Sequence, residues 1–224
     1  MGMFLRRGPA TKMGPPIGSL DVGATVKLNV SSTPWEFLVV HQGLPSAIYD
    51  ASCDGTWLLM KDIYEKRQWN NYRDNYYRTS TITAYLNGDF FALFDGNIKD
   101  AIKQIKIPWS DGTGASGLPV KIFLLSYPEV GITSINGTNM TDGAKLSFFE
   151  TGFESSANNK RIAKLNGSAV FWYLRSKDPT TSTDVGAINT SGGRRNADPL
   201  SSYGIRPAII LPSDMLVTDD MLAA

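Results

Sequence analysis

Two short apolar strands near the C-terminus, and the polar stretch they enclose, restrict this chain more than any other feature. Phe171-Trp-Tyr-Leu-Arg-Ser176 and Tyr203-Gly-Ile-Arg-Pro-Ala-Ile-Ile-Leu211 are rich in aromatic and β-branched residues and are closed by Pro or Gly signals, the signature of strands. Between them, Lys177 to Ser202 is built from Thr, Ser, Asn, Asp, Gly and Arg, with only Val185 and Ile188 as apolar anchors. Two stiff strands holding up a polar, adaptable segment suit a binding surface on a rigid scaffold better than a catalytic cleft.

The rest of the chain can supply such a scaffold. Hydrophobic residues make up 42% of it and aromatic residues 11%, enough for a substantial core in a chain of 224 residues, which fits one large domain. Lys and Arg number 22 against 21 for Asp and Glu, so no basic excess points to nucleic acid. Cys53 is the only cysteine and excludes an intrachain disulfide scaffold, which fits assembly in a reducing cytoplasm. No apolar run reaches the ~18 residues of a membrane helix, so no membrane insertion is expected. Arg6 and Arg7 are followed by Gly8-Pro9 where a signal peptide would place its apolar core, so no export signal is expected.

In chain order, Met1 to Leu20 is rich in Gly and Pro and reads either as a floppy leader or, the expectation carried forward, as an extended arm that docks on a neighbouring chain. Val26, Leu28 and Val30, then Trp35, Phe37 and Val39, predict a hairpin turned by Ser31-Ser-Thr-Pro34. His41, the only histidine, ends its second strand and has no partner at catalytic or metal-ligand spacing. Gly55-Thr-Trp-Leu-Leu-Met60 predicts a buried strand. Asp62 to Arg78, crowded with aromatics, predicts a polar loop sealing the core edge, with a secondary contact surface as the lesser reading. Ser80 or Thr81 caps a helix carrying Ile82, Tyr85 and Leu86 that Gly88 stops; Asn97 caps a second with Ile98, Ala101, Ile102 and Ile105 on one face. Val120 to Leu125 predicts a buried strand, and Gly143 to Glu150 a short helix. No phosphate-loop ending, histidine dyad or credible carboxylate pair is present, so no enzyme and no cofactor are expected.

Several segments together resemble one family: Gly55-Thr-Trp-Leu-Leu-Met-Lys61, Ile82 to Leu86 with Asn87-Gly88, Ile122-Phe-Leu-Leu-Ser126, Arg161-Ile-Ala-Lys-Leu165, Trp172-Tyr-Leu-Arg-Ser176 and Tyr203-Gly-Ile-Arg-Pro207. In this order they are similar to the DUF6273-type of C-type-lectin-like proteins of phages and prophages, over nearly the whole chain. The resemblance implies an α+β, C-type-lectin-like fold: mixed, mostly antiparallel sheets with two or three short helices and long loops. It also implies kinship with the formylglycine-generating-enzyme branch of that fold, whose cysteine pair is missing here. Several relatives are targets of diversity-generating retroelements, which rewrite codons near the C-terminus. In such proteins the segment between the two strands forms the ligand face. This chain has Tyr173 where members usually carry a second tryptophan, and Gly186-Ala187-Ile188 where they often have Trp-Tyr-Val.

The domain expectation is therefore an arm over 1–20, a C-type-lectin-like domain over 21–212 with its ligand face near 177–202, and a tail over 213–224. The expected contact residues are Tyr173, Lys177, Asp178, Thr181, Asp184, Asn189, Arg194, Arg195, Asn196 and Asp198, donors and acceptors of both charges. Trp172, Arg175 and Arg206 are expected to be structural. Both arginines lie inside apolar strands, where an unpaired charge is costly, so each is expected to be paired. The sugar-binding lectin signatures Glu-Pro-Asn, Gln-Pro-Asp and Trp-Asn-Asp are absent, Trp69-Asn70-Asn71 being a near miss; a Ca²⁺ ion, if any, would fall to Asp178 and Asp184. The functional expectation is a phage tail or fibre-tip protein, made in the host cytoplasm and carried on the virion. It would bind a protein or glycan receptor on a bacterial surface, join other tail proteins through its arm and act as a homotrimer. The alternative is a structural virion protein of the baseplate or a decoration, without receptor binding.

Overall fold

The apolar alternation of Val26, Leu28 and Val30 is expressed as one edge of a buried sheet. In the computed structural model, which describes residues 13–152 and 158–222, Thr25–Val30 pairs antiparallel with Thr33–Gln42, with Val26 opposite Phe37 and Leu28 opposite Trp35. The turn is tighter than expected. Ser31 and Ser32 make it alone, at φ 54° and 60°, and Thr33 and Pro34 already belong to the second strand. Two consecutive residues at positive φ match the twist of a two-residue hairpin.

This hairpin begins an antiparallel sheet of five strands that continues through Thr56–Met60 and Ala208–Leu211 to Ile122–Phe123. Thr56–Met60 and Ala208–Leu211 are buried at every position, which explains why Thr56–Met60 reads as an apolar run rather than an alternation. Trp57 anchors the floor, edge-on to both Tyr49 and Phe123 at 5.5 Å.

The second five-stranded sheet runs Arg194–Ala197, Val185–Ile188, Trp172–Lys177, Ser202–Ile205, Glu65–Gln68. Trp172–Lys177 is antiparallel to Val185–Ile188 and parallel to Ser202–Ile205, so this sheet is mixed. The predicted strand from Tyr203 to Leu211 is in fact two strands, one in each sheet. Proline has no N–H for a ladder, and the break falls at Arg206-Pro207, where the Pro207 carbonyl instead accepts from the Met60 amide at 2.9 Å. The architecture is α+β, strand-dominated, with short helices.

Three helix expectations are corrected. The helix starting at Thr81 does not stop at Gly88 but passes through it as a wide turn over Leu86–Phe90, which brings Phe90 into the core. The second helix, Gly96–Ala101, ends before Ile105, which enters a strand, Ile105–Ile107, paired with Leu118–Val120. Residues 143–150 form turns and irregular chain, because the Leu146 and Phe148 amides bond to Glu129 and Val40 carbonyls at 3.1 and 2.9 Å instead of to a helix.

Residues 1–12 of the expected arm lie outside the described residues. Residues 13–20 pack on the domain: Met13–Pro16 pairs with Leu216–Thr218, the Ile17 amide bonds to Met215 O at 2.7 Å, and the Ile17 side chain is buried. Among the described residues no helix is long and apolar enough to cross a membrane.

Candidate functional site

The strand Trp172–Lys177 ties the outer sheet edge to the core. The Trp172 indole donates to Arg161 O at 2.9 Å, and the Tyr173 hydroxyl sits 2.9 and 2.8 Å from the carbonyls of Asp198 and Ser201. A bulge between Tyr173 and Lys177 turns the Arg175 amide away from the ladder to Leu125 O at 2.9 Å. The Arg175 guanidinium is bidentate to Glu129, at 2.5 and 2.6 Å, and also reaches carbonyls of Pro108, Leu124 and Asp142. Burial opposes its charge, but the Glu129 carboxylate more than offsets this and holds the guanidinium pKa above its ordinary value. Tyr49 donates to Glu129 at 2.8 Å; burial, then the Glu129 charge, keeps its phenol protonated.

Arg206 corrects the expectation of an ion pair. Among the described residues no carboxylate pairs with it: Nε and Nη2 donate to Met60 O and Lys61 O, both at 2.8 Å, and the guanidinium lies 5.2 Å from the centre of the Trp172 ring. Burial pulls its pKa down to about 10.

The segment from Lys177 to Ser202 is not an adaptable loop. Val185–Ile188 and Arg194–Ala197 form an antiparallel ribbon that extends the second sheet, with Gly186 opposite Asn196 and Ala187 opposite Arg195. The small residues that interrupt the expected aromatic run are packing choices. A Cβ on Gly186 would stand 2.7 Å from the Tyr127 ring. That ring is buried under the ribbon, its hydroxyl 2.9 Å from Arg195 O and 3.3 Å from Asp178 Oδ2.

Two expected contact residues are therefore part of the frame. Tyr173 is buried with its hydroxyl committed. Asp178 is buried too and accepts from Arg194 Nη2 at 2.6 Å, from the Thr180 hydroxyl at 2.5 Å and from the Thr180 amide at 2.9 Å. Burial opposes the Arg194 charge, and Tyr127 with Asp178 holds its pKa up. This donor set does not fit Ca²⁺, since a guanidinium already occupies the cation's place at Asp178. Among the described residues no group of three or more metal-ligating side chains converges.

The remaining expected residues come to the surface around the ribbon. Asn189 shapes its turn, accepting through Oδ1 from Ser191 and Gly193 amides, each at 2.9 Å. Thr181 Oγ1 accepts from the Asp184 amide, and Asp184 Oδ2 accepts from Asn196 Nδ2 at 2.9 Å. The Arg195 side chain is exposed, its guanidinium 5.9 Å from the Phe171 ring centre. Lys177 lies 3.9 Å from the Tyr76 ring centre.

That last contact bears on the lesser reading of residues 62–78, as a secondary contact surface. Residues 70–76 lie against the ribbon: Asn75 Nδ2 donates to the carbonyls of Ser182 and Asp184, both at 3.2 Å, and Arg73 pairs with Asp198 at 2.6 Å. Trp69 and Tyr77 are buried as core-edge seals, but Tyr72 and Tyr76 between them are 54% and 51% exposed. The available signal was Tyr72-Arg-Asp-Asn-Tyr76, two aromatics flanking charged and amide residues without an apolar period.

Chemically, the described residues of the site offer hydrogen-bonding, charged and aromatic groups. The one histidine meets a serine, Ser147 Oγ lying 2.7 Å from His41 Nδ1, but the Ser147 amide points at the same nitrogen from 3.3 Å, so the pair ties two segments 106 positions apart. Burial pushes the Cys53 thiol up to about 11, far from a thiolate at neutral pH.

The fold and the site thus define a class: an α+β domain bearing a mixed polar and aromatic face on a cross-tied β-ribbon. The chain belongs to the family described as Domain of unknown function (DUF6273), whose model matches residues 54–213. The match opens at the Thr56–Met60 strand and closes after Ala208–Leu211, so it spans the whole second sheet and the site but leaves out the Thr25–Gln42 hairpin. No curated protein and no solved structure matches the chain.

Proposed function

We propose that this chain is a non-enzymatic recognition protein: a receptor-binding protein of a phage tail or fibre tip, with a C-type-lectin-like domain that presents residues 70–76 and 177–198 to a protein or glycan on a bacterial surface. The single observation carrying this reading is the composition and stiffness of that face. Two half-exposed tyrosines, one of them over Lys177, share residues 70–76 with Arg73, and Asn75 ties that stretch to the chain leading into the ribbon of Arg195 and Asn196, which Tyr127 and Asp178 hold from below. Tyr and Arg give large contact area at small entropic cost, and a preorganised face loses little further freedom on binding. In this reading the chain is made in the host cytoplasm, rides on the virion and joins other tail proteins through residues N-terminal to the domain. It acts as a homotrimer, because repeated weak sites raise apparent affinity. The exposed ribbon face is also where codon diversification by a retroelement would alter contacts without disturbing the buried ties.

The test is binding of the purified protein to whole gut-bacterial cells, beside Tyr72→Ala, Tyr76→Ala and Arg195→Ala variants and with the subunit count read by sedimentation. Truncating a central interface tyrosine costs about 1–2 kcal/mol or more, so each variant is expected to lose roughly tenfold in cell binding while staying folded. A folded protein that binds no cell, but binds other virion chains through the same face, would replace this reading with that of a structural virion component.

A further inference from the structure

We infer a second binding site, for a saccharide carrying a carboxylate or phosphate group, in the groove between the Thr81–Tyr85 helix and the chain that links Leu118–Val120 to Ile122–Phe123. The groove has a volume of about 620 Å³ and shares no lining residue with the face of 70–76 and 177–198. A volume of this size falls in the range of small-molecule sites, roughly 300–1,000 Å³.

Its chemistry is one-signed. Arg78 and Lys121 both line it, and no Asp or Glu does. Four surface cations elsewhere meet carboxylates, Lys61 with Glu36, Arg67 with Glu65, Arg73 with Asp198 and Lys160 with Glu150, and others such as Lys99, Lys103 and Lys145 meet backbone carbonyls. Among the described residues the exposed Arg78 guanidinium takes no hydrogen bond and no ion pair, while Lys121 Nζ rests 4.4 Å from the Phe91 ring centre. Two cations facing one concavity without an acid repel each other, and an anion bound between them relieves that.

The walls are fixed in advance. Asn87 stitches them together, donating to Thr83 O and Ile122 O at 3.0 and 2.9 Å and accepting from the Lys121 and Ile122 amides at 2.7 and 3.1 Å. The first amides of the short helix are already committed: Thr81 to Asn70 Oδ1, Ile82 to Trp69 O, Thr83 to Ser80 Oγ. Recognition therefore falls to side chains. The Arg78 fork matches a carboxylate or phosphate in bidentate fashion, Lys121 adds a point charge, the Gln104 amide and Thr79 hydroxyl can hydrogen-bond sugar hydroxyls, and Phe91 and Pro119 add apolar lining suited to the C–H groups of a sugar ring.

The experiment is a titration of the full chain, followed by calorimetry and amide chemical shifts, with digalacturonate, glucose 6-phosphate, maltose and inorganic phosphate. Saturable binding of digalacturonate or of glucose 6-phosphate is expected, whichever binds identifying the source of the charge. It should shift the amides of Ala84 and Val120, and weaken as salt rises from roughly 50 to 300 mM. Arg78→Gln and Lys121→Gln should each reduce affinity about tenfold, whereas Tyr72→Ala should leave it unchanged and so separate this site from the recognition face. Maltose and inorganic phosphate should bind far more weakly. Absence of saturable binding by both charged sugars, affinity indifferent to both substitutions, or inorganic phosphate binding as well as the sugars would overturn the inference.

Discussion

Arg175 uses all five of its N–H groups at zero solvent exposure, two of them on the equally buried Glu129. Removing one partner of such a pair strands the other charge, which costs about 3–5 kcal/mol. Arg175→Met is expected to lower unfolding free energy by that amount in urea titrations, and a change under ~1 kcal/mol would mean that the pair is not held as described. His41 gives a second prediction at this scale. Burial pushes its imidazole below the ordinary 6.5, with Lys145 adding to the shift and the Leu44 carbonyl opposing it. A group whose folded pKa is depressed favours its neutral form in the fold, so its stabilisation is present above the unfolded pKa and is lost as pH falls through the folded one. Thermal stability is therefore expected to fall between roughly pH 7 and 5, and His41→Gln should shrink that fall.

At the scale of the element, the ribbon from Val185 to Ala197 decides whether the contact face is a loop or a sheet. It is a sheet because Gly186 admits the Tyr127 ring beneath it and because Asp178 holds Arg194 and Thr180 at its base. Gly186→Ala places a methyl 2.7 Å from that ring, and overpacking of this kind costs about 1–3 kcal/mol. Hydrogen exchange should report it locally, with amides of residues 185–197 losing protection before those of Thr56–Met60. Uniform loss across both sheets would argue that the ribbon is not a separable unit. The composition of this segment was legible as polar and surface-facing, yet its pairing was not. Gly186-Ala187 reads as part of an adaptable polar segment when it is a space made for an aromatic ring far upstream in sequence, at Tyr127.

For the whole molecule, the two ends of the described chain close on each other. Met13–Pro16 pairs with Leu216–Thr218, and Val217 and Met221 are buried against the first sheet, where Lys27 donates to Met221 O at 2.6 Å. Burying one such side chain stabilises by about 1.5–3 kcal/mol. A chain ending at Leu211 is therefore expected to lose about 2–4 kcal/mol in denaturant titrations, with the Thr25–Val30 edge the first to exchange. An unchanged midpoint would show that the clasp adds nothing to the domain.

By itself the sequence determined several strands, since apolar runs and alternations are local and set by side-chain period: Thr25–Val30, Thr56–Met60 and Trp172–Lys177 fall where their residues place them, whereas the single strands expected over 120–125 and 203–211 are each divided between two sheets. It also determined that Arg175 is buried, and that a lone cysteine makes no intrachain disulfide. Partnership was decided only in three dimensions. Glu129 is the mate of Arg175 across 46 positions, and Asn75 holds the ribbon across 107. Pro207 sends one apparent strand into two sheets, and residues 70–76 become half of the candidate face. Such choices depend on which surfaces remain uncovered once every sheet has closed, and no window of neighbouring residues contains that information.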